Sequence, residues 1–298
     1  MQWWQAIVLG LVEGITEFLP ISSTGHLVIA SSLMGLGDDP QHKQAVDAFN
    51  IVIQGGAILA VLGLYWRSVI RMARGLIGRD PAGRRLALNL LVAFLPAGVL
   101  GPLLDDWIES RLMSIGPVVA ALMLGGLGMI LLERWRRRSA PGQVHEPTQP
   151  PESPDAWMDT LTWRQSLLIG LAQCVAMWPG TSRSMMTIVG GVVVGLKPRQ
   201  AAEFSFLLGL PTLGGACVYK LAKNLWAARK GEAPSMFDLL GVAPIVLGLV
   251  VATVSAFLAI KWLVSFLTRH GLEPFGWYRI GVGVALLGLW LAGLVTVA

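Results

Sequence analysis

The sequence predicts an all-α polytopic membrane protein, and three observations carry that expectation. Hydrophobic residues make up 54% of the 298-residue chain and charged residues only 14%, against about 25% charged in ordinary soluble domains; mean hydropathy is +0.62. Apolar runs close to the ~20 residues that a bilayer crossing needs recur along the chain. They fall at about 48–66, 86–104, 115–133, 200–219, 239–262 and 276–297. Two further apolar stretches, about 3–35 and 163–196, are interrupted by Pro and polar residues. Neither suits one straight span, and each suits a helix-loop-helix that enters and leaves the membrane on the same side.

Taken in order, the first stretch lacks the basic start of a secretory signal and carries Glu13 and Glu17 inside its apolar run, so it reads as a retained segment. After the span at 48–66, the loop 67–85 holds Arg67, Arg71, Arg74, Arg79, Arg84 and Arg85 against Asp80, which assigns it to the cytoplasm. The span at 86–104 leads to Asp105, Asp106 and Glu109 outside. The span at 115–133 returns to Arg134, Arg136, Arg137 and Arg138 inside. Lys220, Lys223, Arg229 and Lys230 then fall outside, against the rule, and the two Arg-rich loops outweigh them. Trp3, Trp4, Trp66, Trp107, Trp135, Trp163, Trp226 and Trp277 lie near segment ends, as interfacial belts require. The net charge of +5 resides in short loops and points to orientation, not to nucleic acid. Cys174 and Cys217 sit in apolar segments and read as buried thiols, with no disulfide framework or metal spacing.

Residues 139–159, with five prolines, read as a flexible linker between repeat one (1–138) and repeat two (160–298). Leu9-Gly10-Leu11-Val12-Glu13 echoes Ile169-Gly170-Leu171-Ala172-Gln173. Pro20-Ile21-Ser22-Ser23 echoes Pro179-Gly180-Thr181-Ser182, and Phe49 to Ala57 loosely echoes Phe204 to Ala216. Each repeat is a re-entrant helix-loop-helix plus three transmembrane helices. Three is odd, so the second repeat is expected to sit inverted, and the two broken segments to meet near the midplane, where such folds place their site.

The chemistry collects in those two loops. Glu13 and Glu17, one turn apart, share a helix face and can hold a divalent cation, Mg²⁺ or Ca²⁺, with a phosphate completing the shell. Ser22, Ser23 and Thr24 offer hydroxyls and backbone N–H groups at the start of a second short helix, an anion site in itself. His26 lies one turn beyond Ser23, in position to serve as its base or as the leaving-group acid. In the second loop Arg183 needs an anionic partner, and its fork matches phosphate; Thr181, Ser182 and Ser184 add donors. The plainer readings are hydroxyls that cap helices or bond back to carbonyls, and an Arg183 paired permanently with Glu13 or Glu17. Together the groups suit hydrolysis of a phosphoanhydride on a lipid carrier whose tail stays in the bilayer.

Glu13 to His26 (EGITEFLPISSTGH), Pro179 to Ser184 (PGTSRS), Glu203 to Leu208 (EFSFLL) and Val52 to Ala60 (VIQGGAILA) closely resemble the undecaprenyl-pyrophosphate phosphatase family, the bacitracin-resistance proteins. The resemblance covers essentially the whole chain. It implies hydrolysis of undecaprenyl pyrophosphate to undecaprenyl phosphate and inorganic phosphate at the outer face of the bacterial inner membrane, recycling the carrier for cell-wall synthesis. It also implies dependence on a divalent cation, with Glu13 and Glu17 essential, Ser23 the nucleophile, His26 its acid/base partner and Arg183 a phosphate ligand; His or water is the nucleophile in other proposals. Met185 and Met186 stand where the family usually has Gly and Ala, and are expected to narrow the pocket beside Arg183 or to alter access of the lipid tail. The expected partners are the polyisoprenoid pyrophosphate and the bilayer, without nucleic acid; a homodimer is compatible with the sequence. The rival readings are a secondary transporter or lipid-phosphate flippase using the same inverted-repeat site, and an intramembrane serine protease built on Ser23 and His26.

Overall fold

The computed structural model describes residues 1–36, 40–139, 156–230 and 235–293, and no strand occurs among them. A first hairpin, α1 (Trp3–Thr16) and α2 (Ser23–Leu33), precedes α3 (Pro40–Leu64), α4 (Trp66–Leu76), α5 (Pro81–Leu112) and α6 (Ile115–Ser139). A second hairpin, α7 (Trp163–Val175) and α8 (Arg183–Val193), precedes α9 (Pro198–Lys230), α10 (Met236–Leu240), α11 (Val242–His270) and α12 (Glu273–Leu291). Among the described residues six helices, α3, α5, α6, α9, α11 and α12, are long and apolar enough to cross a membrane. The chain is a multi-pass membrane protein, as its composition requires.

Local sequence explains where these helices begin and break. Asp80 caps α5 by accepting the Gly83 N–H at 2.8 Å, with Pro81 at the first helical position. That hydrogen bond, with the nearby Arg71 cation, holds the Asp80 carboxyl below its ordinary range. Thr162 and Gln165 form a reciprocal capping box at the start of α7. Pro96 and Pro102 lie inside α5 and Pro211 inside α9, tolerated because neighbouring groups in a membrane bundle can take up the freed backbone carbonyls. The loop expected over 67–85 contains α4, whose Arg67, Arg71 and Arg74 alternate with apolar residues at helical spacing; a basic amphipathic helix of this kind suits the membrane surface. The linker expected over 139–159 falls on 140–155, outside the described residues; at its edges Ser139 ends α6 and a 3-10 turn spans Ala156–Asp159.

The hairpins cross over between the halves. α1 packs on α11, and α7 packs on α5. A Cβ added at Gly10 would lie 2.6 Å from the Gly248 carbonyl, and one at Gly170 would run into the Ala93 carbonyl. Small residues are what let membrane helices approach this closely. Gly10 and Gly170 share a register that runs through both hairpins at an offset of 160 positions. Ser22 and Ser182 take the same left-handed backbone, φ 74° and 75°, and α2 and α8 are both 11 residues long. The echo of Pro20 with Pro179 is therefore corrected by one position: Pro20 corresponds to Gly180, and Ser23 to Arg183. The largest core cluster lies between the hairpins, joining Phe18, Leu19 and Ile21 of the first to Met185, Ile188 and Val192 of the second.

Candidate active site

Both hairpin tips line one cavity of about 120 Å³, walled by Glu17, Ser22, Ser23 and Thr24 from the first and by Ser182 and Arg183 from the second, with Gln54 of α3 between them. Pro20 and the positive-φ Ser22 end the path of α1 and start α2 in a new direction; Gly180 and Ser182 do the same before α8. Ser22 and Ser182 cap the two short helices, accepting the N–H groups of Gly25 at 3.5 Å and Met185 at 3.2 Å. The plainer capping reading of these serines therefore describes their acceptor lone pairs, while both side chains still line the cavity. Two helix N-termini consequently open on the same space, where their dipoles favour an anion.

Glu17 is the hub. Its Oε1 lies 3.1 Å from Nη2 of Arg183, so the two hairpins are joined by an ion pair of which Glu17 is almost wholly buried. Its Oε2 accepts the Ser23 hydroxyl at 2.7 Å and the Gln54 amide at 3.4 Å. Arg183 donates through Nη1 to the Ser205 carbonyl at 2.8 Å and lies 5.6 Å from the centre of the Phe18 ring. Ser205 is held in turn by Thr187 at 2.6 Å. The pairing of Arg183 with Glu17, one of the plainer alternatives, is thus formed. Because Ser23 sits on the same carboxylate, the pair also prepares the nucleophile candidate.

Other expected partners are arranged differently. Ser23 and His26 do not bond to each other. His26 Nδ1 lies 2.7 Å from the Ser22 carbonyl and Nε2 lies 2.9 Å from the Tyr278 hydroxyl. A carbonyl can only accept, so Nδ1 donates, and in the neutral ring Nε2 accepts from Tyr278. Ser184 is fully buried and donates to the Phe18 carbonyl at 2.5 Å, fastening hairpin to hairpin instead of facing the cavity. Thr181 is buried and does not line the cavity either. Met185, expected to narrow the pocket, lies two residues beyond Arg183 and so on the opposite side of α8, where it is 2% exposed in the core; Met186 packs against the same cluster.

Glu13 is fully buried one turn behind Glu17, and neither of its carboxylate oxygens has a hydrogen-bond partner. A buried carboxylate left this way is costly unless a cation compensates it. Among the described residues no cluster of three or more His, Cys, Asp or Glu occurs, so a hard divalent ion bound here would draw on Glu13 and Glu17 alone and take its remaining oxygens from water or a phosphate. Sequence reasoning missed four contributors: Gln54, Ser205, Tyr278 and Arg279. Gln54 carried a signal, because a polar group inside a span defaults to function; Arg279 sits beside Trp277 at the end of its span, where a basic residue ordinarily marks an interface. Ser205 lies within the EFSFLL stretch singled out above, and Tyr278 carried no signal.

The bacitracin resistance protein BacA family model matches residues 6–285. Curated relatives match nearly the whole chain, among them the following three. A protein named undecaprenyl-diphosphatase from Sorangium cellulosum is 44% identical over 98% of this chain and 87% of its own length. One of the same name from Deinococcus deserti is 44% identical over 99% and 98%. Undecaprenyl-diphosphatase 2 of Rhodospirillum rubrum is 45% identical over 98% and 96%. With a family match of that extent and relatives this similar, the chain belongs to the bacitracin resistance protein BacA family.

Proposed function

We propose that the chain is an undecaprenyl-diphosphatase that removes the terminal phosphate of undecaprenyl pyrophosphate at the outer face of the bacterial inner membrane. The observation that carries this reading is the Glu17 carboxylate, bonded to Ser23 of its own hairpin and to Arg183 of the other. The family and the names of the relatives favour hydrolysis over the transporter or flippase reading. Six arginines between 67 and 85, on and after α4, support a cytoplasmic placement of that end. The shared 160-residue register, with three spanning helices after each hairpin, supports two repeats of inverted topology, 1–138 and 160–298.

In the proposed reaction the prenyl tail stays in lipid and the diphosphate enters between the hairpin tips. Arg183 and the N-termini of α2 and α8 neutralise the phosphoryl oxygens. Glu17 takes the proton as the Ser23 oxygen attacks the terminal phosphorus. The bond to the bridging oxygen breaks and undecaprenyl phosphate leaves. Glu17 releases that proton to solvent, then takes one from the water that displaces the phosphoryl group and returns it to the departing Ser23 oxygen, and inorganic phosphate is released. His26, held by Ser22 and Tyr278, braces the start of α2, and in this proposal Glu17 takes the acid/base role expected of His26 from the sequence. Glu13 and Glu17 would hold a Mg²⁺ or Ca²⁺ ion, which supplies further neutralisation of the diphosphate.

Phosphate release from farnesyl pyrophosphate by the detergent-purified chain tests both parts. We expect release with Mg²⁺ or Ca²⁺ present and a fall of about 10²-fold or more in chelator, restored by returning the cation. No release under any condition would overturn the activity, and release indifferent to chelator would overturn the cation site.

A further inference from the structure

We infer that Arg279 of α12 is a positioning residue for this phosphoryl transfer, clamping the two hairpin loops together and so fixing the spacing of Ser23 and Arg183. The inference rests on the proposed reading of the pocket. Arg279 is fully buried. Its Nη1 donates to the Pro20 carbonyl at 3.4 Å, and its Nη2 donates to the carbonyls of Gly180 and of Ala121 in α6, each at 3.0 Å. Among the described residues no carboxylate pairs with it, and its Nε has no partner. A guanidinium buried without a counter-charge is an expensive way to hold three carbonyls, which argues that the fork geometry is what the position requires.

The two loop carbonyls are equivalent groups. In the 160-residue register Pro20 matches Gly180, each two residues ahead of a left-handed serine cap. Ser23 and Arg183 follow at the first positions of α2 and α8. One rigid, planar side chain thus spans the same point of both loops and ties them to α6. The wall of α6 is cut back to admit it: a Cβ at Gly125 would lie 2.6 Å from Nη2. Arg279 does not line the cavity, so it acts through the loops and not on the substrate. Lys keeps the charge but has no fork, and cannot hold both loops at once.

The test compares Arg279→Lys, Arg279→Met and Gly125→Ala with wild type in purified, full-length protein, using farnesyl pyrophosphate and the monodisperse fraction quantified by size exclusion. Small misplacements of reacting groups cost about 10²-fold in rate. We expect kcat per folded molecule to fall by about 10²-fold in both Arg279 variants and by about tenfold in Gly125→Ala, where Arg279 is intact but displaced. KM should stay within about threefold, since the phosphate-contacting groups remain. Full kcat in Arg279→Lys would overturn the inference by reducing the role to charge. Unchanged kcat in Gly125→Ala, or a rise in KM alone, would overturn it too. If neither Arg279 variant folds, Gly125→Ala decides. A wild type that releases no phosphate would instead sink the proposed activity.

Discussion

Glu17→Ala should lower phosphate release by about 10³-fold or more, the largest loss expected of any single substitution. The carboxylate receives three donors from three elements: Ser23 of α2, Gln54 of α3 and Arg183 of α8. Removing it disorients the hydroxyl, removes the proton acceptor and leaves the Arg183 guanidinium, only 12% exposed, without its anion. Breaking one side of a buried pair costs about 3–5 kcal/mol, so Glu17→Ala should also melt at a lower temperature. Glu17→Gln separates the two effects. It keeps the shape and an oxygen for Arg183, and should recover much of the melting temperature while remaining about 10²-fold or more below wild type. Wild-type turnover in Glu17→Gln would remove the base from the mechanism.

Ser23→Ala should reduce turnover by about 10³-fold while leaving the fold and the affinity for pyrophosphate nearly intact. The hydroxyl makes one side-chain bond, to Glu17, and its residue lies at the edge of the cavity, so its removal opens little space in the core. The helix start does not depend on it, because Ser22 supplies the cap. Phosphate-release rates, together with the concentration of farnesyl pyrophosphate giving half-maximal rate, check both statements. Turnover within about tenfold of wild type would mean that water or another side chain attacks phosphorus directly.

Much of this was legible in the chain, and the limits have physical causes. The six spans were readable because membrane-length apolar runs have few other uses, and both broken segments were readable because proline and polar residues interrupt their apolar runs, as at Pro20 and Gly25 in the first. The exact pairing within the site was not. A spacing of three residues puts Ser23 and His26 on neighbouring turns, yet both of their polar ends found nearer partners, Glu17 in one case and Ser22 with Tyr278 in the other. Matching Pro20 to Pro179 was natural, since proline is conspicuous, but the left-handed serine caps set the register one position away. Met185 looked like an intruder in the pocket because it neighbours Arg183 in sequence; two residues along a helix is nearly opposite in space. Arg279 lies beside Trp277 and Tyr278, where a basic residue ordinarily marks an interface. Only the folded chain brings Pro20, Ala121 and Gly180 around it.

The central claim is spatial: the tips of two hairpins about 160 residues apart in sequence share one pocket. Nitroxides attached to cysteines at Thr24 and Trp178, which line that cavity from opposite hairpins, measure it directly once Cys174 and Cys217 have been replaced by alanine. Continuous-wave EPR spectra of the doubly labelled protein in lipid should be strongly dipolar-broadened relative to the sum of the two singly labelled spectra. Tips lying at opposite membrane surfaces would be separated by about 30 Å of hydrocarbon, and spectra identical to that sum would contradict the account.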